Sequence, residues 1–204
     1  TDLTQHLNNL HANDDTTRLQ AIKALGEAGD ARVVDDLLPF LNDESPDIRR
    51  ESVLALRRIN DERAFPAMVA TLNDLDTSVR RRTSAWIMSM GQDSRLVAPL
   101  SALLRDDHAR IPAREFSAMA LGNIADVSAV ETLAGILLNS PPELKRRITH
   151  SLSLMPDAHA ITALAHMLDD DDLPTRKIAA KTLRKIGTAE ALKALEDDEL
   201  KGER

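Results

Sequence analysis

The sequence predicts an all-α fold: an α-solenoid, or alpha-alpha superhelix, of about six stacked helix pairs. Three observations predict it. A basic residue recurs at Arg18, Arg49, Arg80, Arg114, Lys145 and Arg176, at intervals of 31, 31, 34, 31 and 31 residues. Each period carries two helical hydrophobic patterns, and a self-similar period of this length marks stacked supersecondary units. Aromatic residues make up only 2% of the chain while alanine and leucine abound, a balance that favours helices over sheets.

The first pattern of each unit is short and apolar: "VVDDLLPFL" from Val33, "AFPAMVATL" from Ala64, "LVAPLSALL" from Leu96, "AITALAHML" from Ala160. An Asp-rich turn such as "NDESPD" or "NDLDTS" follows. The second pattern then opens on the basic marker: "RLQAIKALGEAGD", "RRESVLALRRIND", "RRRTSAWIMSMGQ", "REFSAMALGNIAD", "KRRITHSLSLMPD", "RKIAAKTLRKIGT". Its apolar positions fall one before the marker and three, seven and ten after it, as in Ile48, Ser52, Leu56 and Ile59. That spacing draws one stripe along a 3.6-residue helix. Gly29, Gly91 and Gly187 stand where the second helix should stop, and Pro156 takes that place in the fifth unit. The implied organisation is one solenoid over 1–204, with units of about 1–29, 30–60, 61–92, 93–125, 126–156 and 157–187 and a closing helix over 188–204.

The pattern "ND–x–R–xx–A–xx–ALG–x–IGD", clearest over Asp43–Asp61 and Asp106–Asp126, resembles the short HEAT repeats. More narrowly, it is similar to the class named after phycobilin lyases. Three departures stand out: three extra residues before Arg114 in "RDDHARIPARE", Trp86 where other copies hold Ala24, Ala55, Ala120, Ser151 and Thr182, and Pro156 in place of glycine. Trp86 reads as a core filler against the next unit, with a surface contact as the alternative.

A cation at a helix N-terminus opposes the helix dipole, so each marker needs an acid. The preceding turn offers one: Asp43 for Arg49, Asp74 for Arg80, Asp170 for Arg176. The resemblance implies that such pairs form a ladder between adjacent turns, which makes the markers structural.

Opposite the buried stripe lie the positions one, five and eight after each marker. They hold Lys23; Arg50, Leu54 and Arg57; Arg81, Ala85 and Met88; Glu115, Met119 and Gly122; Arg146, His150 and Ser153; Lys177, Lys181 and Arg184. Arg82 and Arg147 border the same row, and Phe116 lies near the methionines. A surface serving solubility alone would mix its signs in a chain of 33 acids and 26 bases. Here the row is basic, while acids gather in the turns and on first helices (Asp35, Asp36, Glu131, Asp169 to Asp172). Second helices line the inner surface of such solenoids, so a positive concave face is expected.

Catalytic and metal chemistry finds little footing. No cysteine is present, so disulfides and thiolate chemistry are excluded, and with them the usual mark of an oxidising compartment. The six histidines lack metal-ligand spacing, and none precedes a glutamate as in the metal-binding HEAT hydroxylases. "DDDD" at 169–172 lacks the glycine and distal glutamate of a calcium loop. No phosphate loop or nucleophile elbow occurs. No apolar run reaches the roughly 18 residues of a membrane span. The polar opening "TDLTQHLNNLHANDD" is unlike a secretory leader, and a cytoplasmic location is expected.

The residues therefore point to a non-catalytic scaffold, without metal or cofactor, whose basic face grips an acidic protein partner. Charge would steer the encounter while Met88, Met119 and Phe116 supply adaptable contact. The family resemblance implies an alternative: a phycobilin lyase subunit or bilin-handling factor, with a bilin chromophore held by the arginines and methionines and a phycobiliprotein as partner. Nucleic-acid binding is disfavoured by the net charge of −7 and the lack of stacking aromatics.

Overall fold

Helix signals in the chain are local and regular, and a computed structural model describes their outcome over residues 3–202, with side chains to residue 198. The helices, in order, are α1 (Leu3–Asn9), α2 (Asp15–Ala28), α3 (Val34–Leu37), α4 (Pro46–Ile59), α5 (Phe65–Ala70), α6 (Thr77–Met90), α7 (Val97–Arg105), α8 (Ile111–Ile124), α9 (Val130–Leu137), α10 (Pro142–Leu152), α11 (Ala158–His166), α12 (Leu173–Ile186) and α13 (Ala189–Gly202). They pair as the period requires, α1 with α2 through α11 with α12, and α13 follows as the closing helix. No strand occurs among the described residues.

The chain divides into two compact units, Thr1–Met90 and Gly91–Arg204. In the first, α2 packs on α4 and α4 on α6; in the second, α8 packs on α10 and α10 on α12. The core follows the expected stripe. Ile48, Ser52 and Leu56 are fully buried, as are their counterparts Val79 and Thr83, Ser117 and Leu121, and Ile148 and Leu152. The stripe is wider than a single row, because Val53, Ala55, Ala118 and Ala120 are buried too. A second helix in a stack touches a neighbour on each side, which one apolar row cannot serve.

First helices are less regular than second ones. Pro39 has no N–H for the carbonyl four residues back, and the helix tightens from α3 into a 3-10 turn over Leu38–Asn42. Pro66 falls in the first turn of α5, where the missing donor costs nothing.

The ends of second helices behave as their residues dictate, with one correction. Gly29, Gly91 and Gly187 adopt left-handed φ of 67°, 61° and 67°, and Asn60 and Ala125 take the same conformation at 55° and 57°. In the fifth unit Pro156 is not the stop: α10 ends at Leu152, four residues earlier. Pro156 cannot donate to the carbonyl of Leu152 and disfavours a helical Met155, so the last turn is lost. Ser153 caps it by donating its hydroxyl to the carbonyl of His150 at 2.5 Å.

Trp86 is a core residue, 1% exposed, with its ring edge-on to Phe65 at 5.2 Å between centroids and 72° between planes. Its indole N–H is buried without a partner. No helix among the described residues is long and apolar enough to cross a membrane.

Candidate functional site

The markers come first because they position everything else. Arg49 donates to the main-chain carbonyls of Asp43 and Glu44, at 2.7 and 3.0 Å, and so caps the turn that precedes its own helix. Arg80 does the same with Asp74 and Leu75, and Arg176 with Asp170 and Asp171. The acid of the preceding turn thus offers its carbonyl and not its carboxylate, which corrects the pairing expected from sequence. The carboxylates turn toward the marker of the unit before: Arg18 meets Asp43 at 3.7 Å, Arg49 meets Asp74 at 2.7 Å, and Lys145 meets Asp170. This is a ladder between adjacent turns, with a register of 25 residues at Arg49 and Lys145.

The rung fails where the residue 25 positions on is not an acid, as for Arg80, which has Arg105 there, and for Arg114. Twenty-five residues beyond Arg114 the chain has Asn139, which carries no charge. Arg114 instead folds back, 7% exposed, to the carbonyl of Leu104 at 2.9 Å and to Asp107 at 3.0 Å. The three-residue insertion supplies that Asp107.

A second recurrent device has no trace in the helix-period pattern. Asp30, Asp61 and Asp93 each cap a 3-10 turn by accepting the N–H two residues on, and each also binds the guanidinium of that residue, Arg32, Arg63 or Arg95. The side-chain hydrogen bond from Arg32 holds the carboxyl of Asp30 down at about 2, and Asp61 and Asp93 are lowered by the same cause. Asp126 caps with Ser128, and Asp157 and Thr188 cap α11 and α13. The signal is a capping residue at 30, 61, 93, 126, 157 and 188, legible once the intervals between units are aligned.

With markers and caps accounted for, the row opposite the stripe remains. In the first unit Lys23, Arg57, Arg81 and Met88 are exposed, and Arg50, Leu54 and Arg82 are half-buried. In the second, Arg147, His150, Lys177, Lys181 and Arg184 are exposed, and Phe116, Met119 and Arg146 are half-buried. Gly122 departs from the row: it is buried, and a Cβ there would lie 2.8 Å from the side chain of Ser151. Position eight serves helix approach in that unit, and Gly26 serves it in the first, facing Ala55.

Some cations of the row are matched within their own helix. Arg50 meets Asp47 at 2.8 Å, and Arg146 approaches Glu143 at 3.9 Å. Both acids lie in the first helical turn and are themselves mostly exposed, so these pairs add little. Lys23, Arg57, Arg81, Arg82, Arg147, Lys177 and Lys181 have no acid partner among the described residues.

Two clefts touch the row. One, of about 360 Å³, lies between α4 and α6 and is lined by Arg50, Ser78, Arg81, Arg82 and Ala85. The other, of about 610 Å³, lies along α12 and α13 and mixes signs, with Arg176, Lys177 and Arg184 against Asp169 and Asp198. No group of three or more metal-ligating side chains gathers among the described residues.

Stacked helix pairs, a basic marker per unit and ion pairs between successive turns define an all-α repeat solenoid. The HEAT repeats model matches residues 2–89 and 136–199, and the chain belongs to that family. The unmatched stretch holds the insertion before Arg114. Among curated proteins none matches the chain. Among solved structures, an engineered protein is 19% identical with a TM-score of 0.50, over 92% of this chain and 97% of its own. The complex of CpcE and CpcF of phycocyanin lyase from Nostoc sp. PCC7120 is 21% identical with a TM-score of 0.48, over 95% of this chain and 80% of the other. A designed armadillo repeat protein in complex with the peptide (KR)4 is 17% identical with a TM-score of 0.47, over 95% and 99%. The engineered protein is a likeness of fold alone.

Proposed function

We propose that the chain is a protein-binding scaffold whose second helices present a basic row to an acidic protein partner. The observation that carries this is the segregation of charge. Seven lysines and arginines of the row lack an acid partner in a chain of net charge −7, while the turns spend their acids on caps and ladder rungs. Unpaired cations on one helix face raise the encounter rate with an acidic surface and orient it, and salt weakens both effects. Met88, half exposed beside the cations of α6, supplies a flexible apolar contact of the kind that binding surfaces use.

The test is reversal of Arg81, Arg146 and Lys181 to glutamate in one variant. Affinity capture with the unaltered chain is expected to retain acidic proteins, released as salt rises, and the variant is expected to retain none of them at an unchanged melting temperature. Equal capture by the two chains would remove the proposal.

A further inference from the structure

The cleft between α4 and α6 has a chemistry narrower than a general basic surface. Arg50 reaches it from the second turn of α4, and Arg81 and Arg82 from the second turn of α6, with the small Ala85 about one turn further along. Arg81 and Arg82 are unpaired, and Arg50 shares only Asp47, whose side chain is 61% exposed. The nearby Asp76 is already committed. It accepts the hydroxyl of Ser78 at 2.5 Å and the N–H groups of Ser78 and Val79 at 2.7 and 3.3 Å, as the cap of α6. The hydrogen bond from Ser78 keeps that carboxyl lowered.

Three guanidiniums, of which only that of Arg50 has an acid partner, leave a surplus of two positive charges in a concavity of about 360 Å³. A single carboxylate satisfies half of that. A phosphomonoester carries about −1.5 to −2 charges at neutral pH and three acceptor oxygens, and guanidinium forks match its geometry. No aromatic ring lines the cleft to stack a base, and its one apolar side chain, Ala85, is too small to hold an acyl chain.

We infer that the Arg50–Arg81–Arg82 cleft is a phosphate-binding site that reads a phosphorylated serine or threonine on an extended segment of the protein partner. This rests on the basic-row proposal and adds a chemical requirement to it. Phosphorylation of the partner then becomes the switch for docking on the compact unit Thr1–Met90.

Two degenerate nine-residue peptide libraries test it, one with central phosphoserine and one with central glutamate, titrated by fluorescence anisotropy at fixed salt. The phosphoserine library is expected to bind about tenfold more tightly, the worth of one further charge-assisted hydrogen bond. An R50Q/R81Q/R82Q variant is expected to fall to the glutamate level, and a K177Q/K181Q variant to keep the preference. Arg81 is exposed, Arg50 and Arg82 are half-buried, and the Arg50–Asp47 pair adds little, so melting curves should shift only slightly, which separates lost binding from lost fold. Equal affinity for both libraries, or a preference that survives R50Q/R81Q/R82Q, would overturn the phosphate site; the basic-row proposal would still stand if the Arg81, Arg146 and Lys181 reversal abolishes capture. Tighter binding of a short duplex DNA than of the phosphoserine library, lost in the same variant, would overturn it in favour of a nucleic-acid site.

Discussion

Arg49 and Asp74 lie 25 residues apart in the chain and meet in a two-pronged ion pair, with Nε to Oδ2 at 2.7 Å and Nη2 to Oδ1 at 2.9 Å. Both side chains are largely removed from solvent, at 14% and 8% exposure. The same guanidinium holds the carbonyls of Asp43 and Glu44, so one side chain ties together two successive turns. The hydrogen bond to Asp74 raises the pKa of Arg49 further above neutrality, and the charge is never in question.

Breaking that rung from either side leaves a buried charge without its partner. Arg49→Ala and Asp74→Ala are each expected to lower unfolding stability by about 3 kcal/mol. The double variant should lose much less than the sum, since neither orphan then remains. Urea denaturation of the four chains measures the coupling, and additive losses would show that the pair contributes nothing as a pair.

Two glycines and a third make a test of opposite signs. A Cβ on Gly26 would lie 2.5 Å from the Cα of Ala55, and one on Gly122 would lie 2.8 Å from the side chain of Ser151. Backbone approaches there and cannot shift cheaply, so Gly26→Ala and Gly122→Ala should each destabilise by about 1–3 kcal/mol. Gly135 lies exposed in α9 with nothing within 4 Å of its Cβ position. Gly135→Ala should stabilise by up to about 1 kcal/mol through helix propensity alone. Thermal melting of the three variants reads both signs.

Much of the fold was legible because helix pairs are local. Marker and stripe recur every 31 residues except across the insertion before Arg114, and in the second unit Ile48, Ser52 and Leu56 are buried while Ile59, at the end of α4, is half-buried. What eluded the sequence is relational. The acid before Arg49 looked like its partner because both are close in the chain, yet a turn's carboxylate and carbonyl point different ways, and only the carbonyl faces Arg49. Likewise Gly122 shares a row with Arg57 and Met88 by spacing alone. The row is exposed only where the neighbouring helix keeps its distance, and a glycine there invites the neighbour in. Trp86 was legible as large and apolar but not as the edge-on partner of Phe65, because that contact joins two helices.

Acid should weaken the protein in a defined window. Asp30, Asp61, Asp93, Asp126 and Asp172 all have carboxyls held below the ordinary 3.8 by hydrogen bonds from Arg32, Arg63, Arg95, Ser128 and Thr175. Groups lowered by folding stabilise above their unfolded pKa and lose that effect as pH falls through the folded one. The melting temperature should therefore vary little from pH 7 to about 5 and fall steeply below about 4. Asp170 sharpens the test. Burial alone would raise its carboxyl, but the bonds from Lys145 and from the N–H of Asp172 outweigh burial and lower it. Lys145→Met removes the larger of those bonds, so the variant should melt lower than the unaltered chain at pH 7. The gap should narrow as pH falls below about 4 and Asp170 loses the charge that Lys145 balances.

The division between structural markers and binding row gives the last expectation. Arg114 is 7% exposed, with its Nε on the carbonyl of Leu104 and its Nη2 on Asp107. Arg114→Ala leaves that carbonyl without its side-chain donor and opens a gap in packed surroundings, so about 2–4 kcal/mol should be lost. Arg81, Lys177 and Lys181 are exposed and unpaired, and their replacement by glutamine should move stability by no more than about 0.5 kcal/mol. Binding should respond in the reverse order, since Arg114 faces inward and cannot meet a partner. Melting curves and partner capture on the same set of variants measure both, and an Arg114→Ala chain that melts like the parent would put the markers on the surface with the row.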